Sequence, residues 1–155
     1  MNSTIKNRLQ RNALALTLAG LCGAAHAQLS DGVVRIGLLT DMSGSFSQFS
    51  GQGSVVAAQM AIDDCLANEC KGLKIELLSA DHQNKTDLAL AKAREWADVQ
   101  KVDAYADMVN SAVALAMQNL AQQKDKVALF AGGPVRLTSE DCQPERSVQW
   151  MWDTY

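Results

Sequence analysis

The chain has 155 residues, 48% of them hydrophobic and 20% charged, with 10 glycines and 2 prolines. That composition excludes collagen-like, low-complexity and wholly disordered chains and suits one compact domain. The formal net charge of −3 argues against a nucleic-acid binder that works through phosphate contacts.

The first 27 residues read as a secretory signal peptide. Lys6, Arg8 and Arg11 precede an apolar stretch from Ala13 to Ala25, which ends in Ala25-His26-Ala27. A basic start, a short apolar middle and small residues before the cut are what export machinery reads. The stretch is short for a membrane span, so no membrane insertion of the mature chain is expected. A buried apolar helix is the alternative, and the clustering of all three bases ahead of the apolar run speaks against it. Cys22 raises lipid attachment, but Leu21 stands where that signal wants a small residue. Cleavage after Ala27 removes three of the fourteen basic residues, leaving eleven against seventeen acids.

Val33 to Thr40 is a short apolar run rich in β-branched residues and reads as a buried strand. A polar loop rich in serine and glycine follows, from Asp41 to Gly53. Ser54 to Leu66 places Val55, Ala58, Ile62, Cys65 and Leu66 on one helical face. The mature chain keeps Cys65, Cys70 and Cys142, an odd count for an exported protein. Cys65 and Cys70 are the natural pair. Along a continuous helix five residues rise about 7.5 Å, beyond disulfide reach. A bridge therefore requires the helix to end near Cys65, and Gly72 suits a stop just beyond. Two free, half-buried thiols are the alternative.

Leu73 to Ser79 is a second strand, and Asp81 to Lys85 a polar turn. Thr86 to Gln100 is a helix with Ala89, Ala93, Trp96 and Ala97 on its apolar side. Val102 to Val109 is a third strand, interrupted by Asp103 and Asp107. Ser111 to Gln123 is a third helix, with Val113, Met117, Leu120 and Ala121 in register. Val127 to Ala131 is a fourth strand, broken by Gly132-Gly133-Pro134, and Val148 to Trp152 offers a fifth. Strand and helix alternate four times with short connections, which predicts an α/β doubly wound parallel sheet, a Rossmann-like three-layer lobe.

In such sheets ligands bind beyond the carboxyl ends of the strands, near the point where strand order reverses. The unusual residues fall there: the Ser/Gly loop, Asn110-Ser111 and Gly132-Gly133-Pro134. Helix beginnings offer unpaired N–H groups to anions. Ser and Asn can cap or bind, and glycines let the main chain come close to a ligand. Phe46 and Phe49 in the first loop could close over a solute's apolar part, or one could tuck into the helix layer.

Enzyme readings fare worse. The sequence contains no Gly-x-Ser-x-Gly elbow and no phosphate loop. Gly51-Gln52-Gly53 begins a dinucleotide pattern that Val56 breaks, so no cofactor is called for. With one histidine in the mature chain and no Cys-x-x-Cys, metal binding is not expected. His82 has Asp81 beside it, but no nucleophile or second catalytic partner can be assigned, so it is read as a surface turn histidine.

These segments resemble the periplasmic substrate-binding proteins of ABC transporters, of the branched-chain amino-acid kind (type I periplasmic binding proteins). The resemblance rests on four stretches in the family's order: Val34 to Gly44, Ile75 to Lys85, Asn110 to Ala116, and Leu137 to Cys142 ahead of Trp150 to Tyr155. It implies two doubly wound lobes that close on a small-molecule solute by hinge motion, and delivery to an inner-membrane ABC permease from the periplasm. Residues 28–155 would then be an incomplete N-terminal lobe, a truncated version or fragment that leaves apolar surface uncovered. The family's binding positions carry over to Ser43, Ser45, Phe46 and Phe49, to Asn110 and Ser111, and to Ala131, Gly132 and Gly133. Gly132-Gly133-Pro134 lacks the hydroxyl and one N–H that amino-acid binders supply there. This weakens the case for an ordinary amino acid and leaves amides, aromatic acids or other small carboxylates. The segment Cys65 to Cys70 also departs from the family pattern. Two other readings remain at this stage: a ligand-sensing domain of a signalling receptor with the same fold, and an exported enzyme.

Overall fold

The computed structural model describes residues 31–143 and 147–149. The expected leader at 1–27, and Trp150 to Tyr155 with the end of the expected fifth strand, lie outside the described residues.

Strand β1 (Val34–Thr40) leads to helix α1 (Gln52–Ala67) and strand β2 (Ile75–Asp81). Helix α2 (Thr86–Glu95) runs into a π turn at Trp96–Gln100, followed by β3 (Ala104–Asp107) and α3 (Ser111–Lys124). Then come β4 (Val127–Phe130), a 3-10 turn (Val135–Thr138) and β5 (Ser147–Gln149). The strands form one sheet in the order β2-β1-β3-β4-β5, and every neighbouring pair is parallel. The α/β doubly wound order expected from the sequence is what the chain adopts, with the reversal of direction between β1 and β3.

One face of the sheet carries the core. Leu39, Tyr105, Ala128 and Phe130 pack against Ala89, Ala93 and Trp96 from the α2 segment and Val113, Met117, Leu120 and Ala121 from α3. The apolar positions read from helical spacing are the ones buried, and the alanines bring α2 close to its neighbours. Tyr105 is fully buried, and its hydroxyl donates to the Ala93 carbonyl at 2.7 Å. Burial pushes the phenol up to about 12, so it is a donor at neutral pH. Trp96 packs against β1 where residue 37 has no side chain: a Cβ on Gly37 would stand 2.6 Å from the ring's Cε3 and 2.8 Å from Cζ3.

The opposite face is more open. Among the described residues α1 covers part of it, burying Ile62, and an apolar groove runs between Ala58, Ile62 and Cys65 of α1 and Ile36, Ala106 and Leu129 of the sheet. Val127 and Leu129 remain exposed there.

Several elements differ from the sequence reading, and β2 runs two residues later, Ile75–Asp81 rather than Leu73 to Ser79. Strand β3 is half the expected length, because Lys101 before it and Asp107 and Met108 at its end take left-handed backbone angles (φ 58°, 81° and 59°). The helix expected through Gln100 widens to a π turn over its last five residues. Cys65 and Cys70 are joined in a disulfide with Cα atoms 5.0 Å apart. The helix stops at Ala67, and the chain doubles back so that the Cys70 N–H reaches the Cys65 carbonyl at 2.7 Å. Cys142 is exposed and free.

The Trp96–Gly37 contact leaves no room for even a methyl group. Gly37→Ala is expected to destabilise the fold by about 1–3 kcal/mol, as overpacking does. Urea denaturation followed by tryptophan fluorescence measures this, and an unchanged midpoint would mean that the ring can move aside.

Candidate functional site

The register of the sheet brings four strand ends together. Thr40 stands beside Asp81, Leu39 beside Asp107, and Asp107 beside Phe130. The four turns that follow therefore leave from one edge, at the reversal of strand order where doubly wound sheets hold ligands.

The first turn is built on Asp41. Its carboxylate is almost wholly buried and accepts from the N–H groups of Gly44 at 2.6 Å and Phe46 at 2.8 Å. The loop then winds back so that the Gly51 N–H reaches Thr40 Oγ1 at 2.6 Å. Gly51 sits at φ 62°, where a Cβ would be 2.9 Å from the Ser47 carbonyl, so glycine is required. Ser43 Oγ donates to Asp81 Oδ2 at 2.6 Å, which ties this loop to the second turn. Ser45 is exposed, Phe46 is half-buried, and Phe49 is 81% exposed. Of the two aromatics, Phe49 is thus the one available to a solute.

The second turn holds Asp81 to Lys85. Asp81 accepts from the N–H groups of Met42 and Gln83 as well as from Ser43. Burial raises its carboxyl, but the Ser43 hydroxyl and the two N–H groups outweigh that and hold it below the ordinary aspartate value. His82 corrects the sequence reading. It is no surface histidine but 2% exposed, drawn inward because its N–H bonds the Thr40 carbonyl at 2.9 Å as the sheet ladder's next rung. Its Nδ1 accepts the Asn84 N–H at 3.1 Å.

The third turn carries Asn110 and Ser111. Asn110 caps α3, its Oδ1 accepting the Val113 N–H at 2.9 Å, and its Nδ2 donates to Asn84 Oδ1. Its carbonyl accepts from Ala114. That leaves the amides of Ser111 and Ala112, both exposed residues, for a ligand or water. In the fourth turn Ala131 is exposed and Gly132 and Gly133 half-buried. The Ala131 N–H bonds the Asp107 carbonyl at 3.0 Å. Gly133, at φ 144°, lies against α3: its Cβ would be 3.5 Å from the Ala114 methyl and 2.7 Å from Leu137 Cδ1. Gly132 lies equally close to Val109. The third and fourth turns are therefore in contact, as the first and second are through Ser43–Asp81, and the second and third through Asn84–Asn110.

Sequence reasoning placed Ser43 and Asn110 on this edge but did not foresee that both side chains are engaged by neighbouring turns. It also missed Asp41, Asp81 and Asn84, which hold the turns in place. Among the described residues no group of His, Cys, Asp or Glu gathers to hold a metal ion, and no helix is long and apolar enough to cross a membrane. The edge offers main-chain amides, a serine hydroxyl and an aromatic ring: equipment for holding a small polar molecule.

Comparison with known proteins agrees with this arrangement. A sequence profile described as periplasmic binding protein matches residues 33–155. A periplasmic binding protein of Burkholderia mallei is similar over 79% of this chain and 32% of its own, at 40% identity and a TM-score of 0.70. A branched-chain amino acid ABC transporter periplasmic ligand-binding protein of Burkholderia xenovorans is similar over 71% of this chain and 29% of its own, at 43% identity and a TM-score of 0.66. A solute-binding protein of an ABC transporter from Rhodopseudomonas palustris, solved with 3,4-dihydroxybenzoic acid, shares the fold at 20% identity and a TM-score of 0.60, over 77% of this chain and 32% of its own. No curated protein matches. The chain belongs to the periplasmic binding protein family, and it spans about a third of the length of these relatives.

Asp81 sets a pH test of the site's frame. Its folded value lies below its ordinary one, so its contribution is complete above about pH 4 and is lost as pH falls through the folded value. Asp81→Asn is expected to flatten this acid limb of stability. Urea midpoints measured down to about pH 2.5 check it, and an acid limb as steep as before would show that the bonds to Ser43 and Met42 contribute nothing.

Proposed function

We propose that the chain is the ligand-facing part of a solute-binding protein of an ABC importer, which captures a small polar or carboxylate-bearing molecule in the periplasm and presents it to an inner-membrane permease. Family membership supports the transport role, and the leader-like residues 1–27 fit export to that compartment. The observation that carries the reading is the start of α3. There the first-turn amides of Ser111 and Ala112 and the Ser111 hydroxyl stand one turn before Ala114, whose methyl Gly133 faces across the third and fourth turns. A carboxylate placed there would accept two or three charge-assisted hydrogen bonds and meet the positive end of a helix dipole.

The process is capture and closure rather than catalysis. Pro134 supplies no N–H and the fourth turn supplies no hydroxyl, so this turn gives a ligand fewer donors than a Ser- or Thr-bearing turn would. The reading therefore favours an amide, an aromatic acid or another small carboxylate over a plain α-amino acid. Phe49, exposed on the first loop, gives such a solute a ring to lie against. A carboxylate and an aromatic face are the two features of 3,4-dihydroxybenzoic acid, the ligand held by the Rhodopseudomonas palustris relative.

The test is calorimetry with the protein at the full length of its relatives. The probes are 3,4-dihydroxybenzoate, benzamide and isoleucine, with Ser111→Ala beside the parent. Loss of one hydrogen bond to a charged group is expected to weaken the bound probe about tenfold. Unchanged affinity would remove Ser111 from the site. A preference for isoleucine over the aromatic acid would reverse the assignment of solute class.

A further inference from the structure

Three consecutive hydrogen bonds lead from a buried ring to the helix start that the solute is proposed to occupy. The Asn84 N–H donates to His82 Nδ1 at 3.1 Å, Asn110 Nδ2 donates to Asn84 Oδ1, and the Val113 N–H donates to Asn110 Oδ1 at 2.9 Å. The first bond suits the neutral ring: an N–H aimed at Nδ1 needs a lone pair there, which the imidazole with its proton on Nε2 supplies. Asn84 itself stands at φ 57°, and Gln83 before it at φ 54°. Two successive left-handed residues other than glycine persist only where their surroundings hold them. The bond to His82 Nδ1 is part of that hold.

We propose that His82 is a positioning residue that makes solute binding depend on pH, by holding Asn84, and through it Asn110 and the first turn of α3, only while the ring is neutral. A proton on Nδ1 replaces the acceptor with a donor and sets two N–H groups against each other. The ring cannot turn to water without opening the turn, because it is 2% exposed. Asn84 then loses its anchor, and the amide that receives from Asn110 is free to move. Asn110, the cap of α3, is released with it, beside Ser111.

The ionisable groups that face the ring are Asp41 at the end of β1, Asp81 next to it at the end of β2, and Asp107 at the end of β3. Burial lowers the histidine, these three carboxylates oppose it, and burial prevails, so the ring charges below its ordinary value. Asp107 is itself driven upward by burial, against the Thr40 and Ser54 hydroxyls and His82, which limits the negative charge it can lend. One of its oxygens, Oδ2, is buried with no hydrogen-bond partner among the described residues. A histidine whose folded value is depressed costs the fold nothing above its ordinary value of about 6.5 and weakens it as pH falls between that value and the folded one; the turn itself is released as pH falls through the folded value.

The effect on affinity rests on the solute-binding role proposed for this edge, but the relay can be read without a solute. NMR spectra of the protein recorded from about pH 8 down to the acid limit of the fold are expected to show the His82 ring titrating below its ordinary value. The amide signals of Asn84 and Val113 should move with the same midpoint. In His82→Gln, whose side-chain oxygen can accept at any pH, both amides should stay still. Calorimetry with 3,4-dihydroxybenzoate on the protein at the full length of its relatives is expected to show affinity falling about fivefold or more over the same interval. His82→Gln should bind with a flat profile. A Val113 amide that stays put while the ring titrates overturns the proposal, as does a pH profile that His82→Gln leaves unchanged. A protein that moves both amides with the ring yet binds no solute at any pH would uphold the relay and refute the solute-binding role instead.

Discussion

Backbone N–H groups at the end of a parallel sheet have no ladder to join, and leaving them buried and unpaired costs about 1–3 kcal/mol each. In this chain short acidic side chains meet that demand. Asp41 takes the amides of Gly44 and Phe46, and Asp81 takes those of Met42 and Gln83. Asn110 does the same for Val113. Each of these residues stands at a strand end or helix start and folds the following turn back toward its own carboxylate or amide. The amides of Ser111 and Ala112, exposed residues at the start of α3, lie outside these bonds. The candidate site is in this sense what remains once these structural bonds are made.

The fold was legible because its signals are periodic. Val34 to Thr40 and Val127 to Phe130 carry the apolar density of buried strands. The spacing of Ala89, Ala93 and Trp96, and of Val113, Met117 and Leu120, marks the helix faces that are buried. What spacing could not show were the places where backbone angles depart from the regular regions. Asp107 and Met108 are ordinary in composition, yet their left-handed angles end β3 early. His82 looked like a turn residue because its neighbours Asp81, Gln83 and Asn84 are polar. It is buried because its own N–H continues the pairing with Thr40, a long-range contact that no local pattern carries.

The candidate site was legible in position more than in role. Gly132-Gly133, Asn110-Ser111 and the serine loop do converge at one edge, since the strand register aligns their starting points. The division of labour among them depends on side chains meeting across turns. Ser43 reaches Asp81, 38 residues away in sequence, and Asn110 reaches Asn84, 26 away. Such pairings give a polar residue a structural duty that its type alone does not disclose. Ser45, Phe49 and Ser111 stand exposed on the same edge.

The end of α1 shows how small a covalent device can be. A helix commonly stops on a glycine in the left-handed region, but here Asn68 follows Ala67 at φ −122° and the chain is clasped by sulfur instead. A ring closed over so few residues removes little freedom from the unfolded chain, about 2 kcal/mol on the loop-entropy account, roughly half what a ring of a hundred residues would remove. Its stabilisation is therefore local: it prevents one helix terminus from fraying and leaves the sheet to stand on its own packing. Oxidation of this one pair would finish this corner of the molecule without deciding whether the rest of it folds.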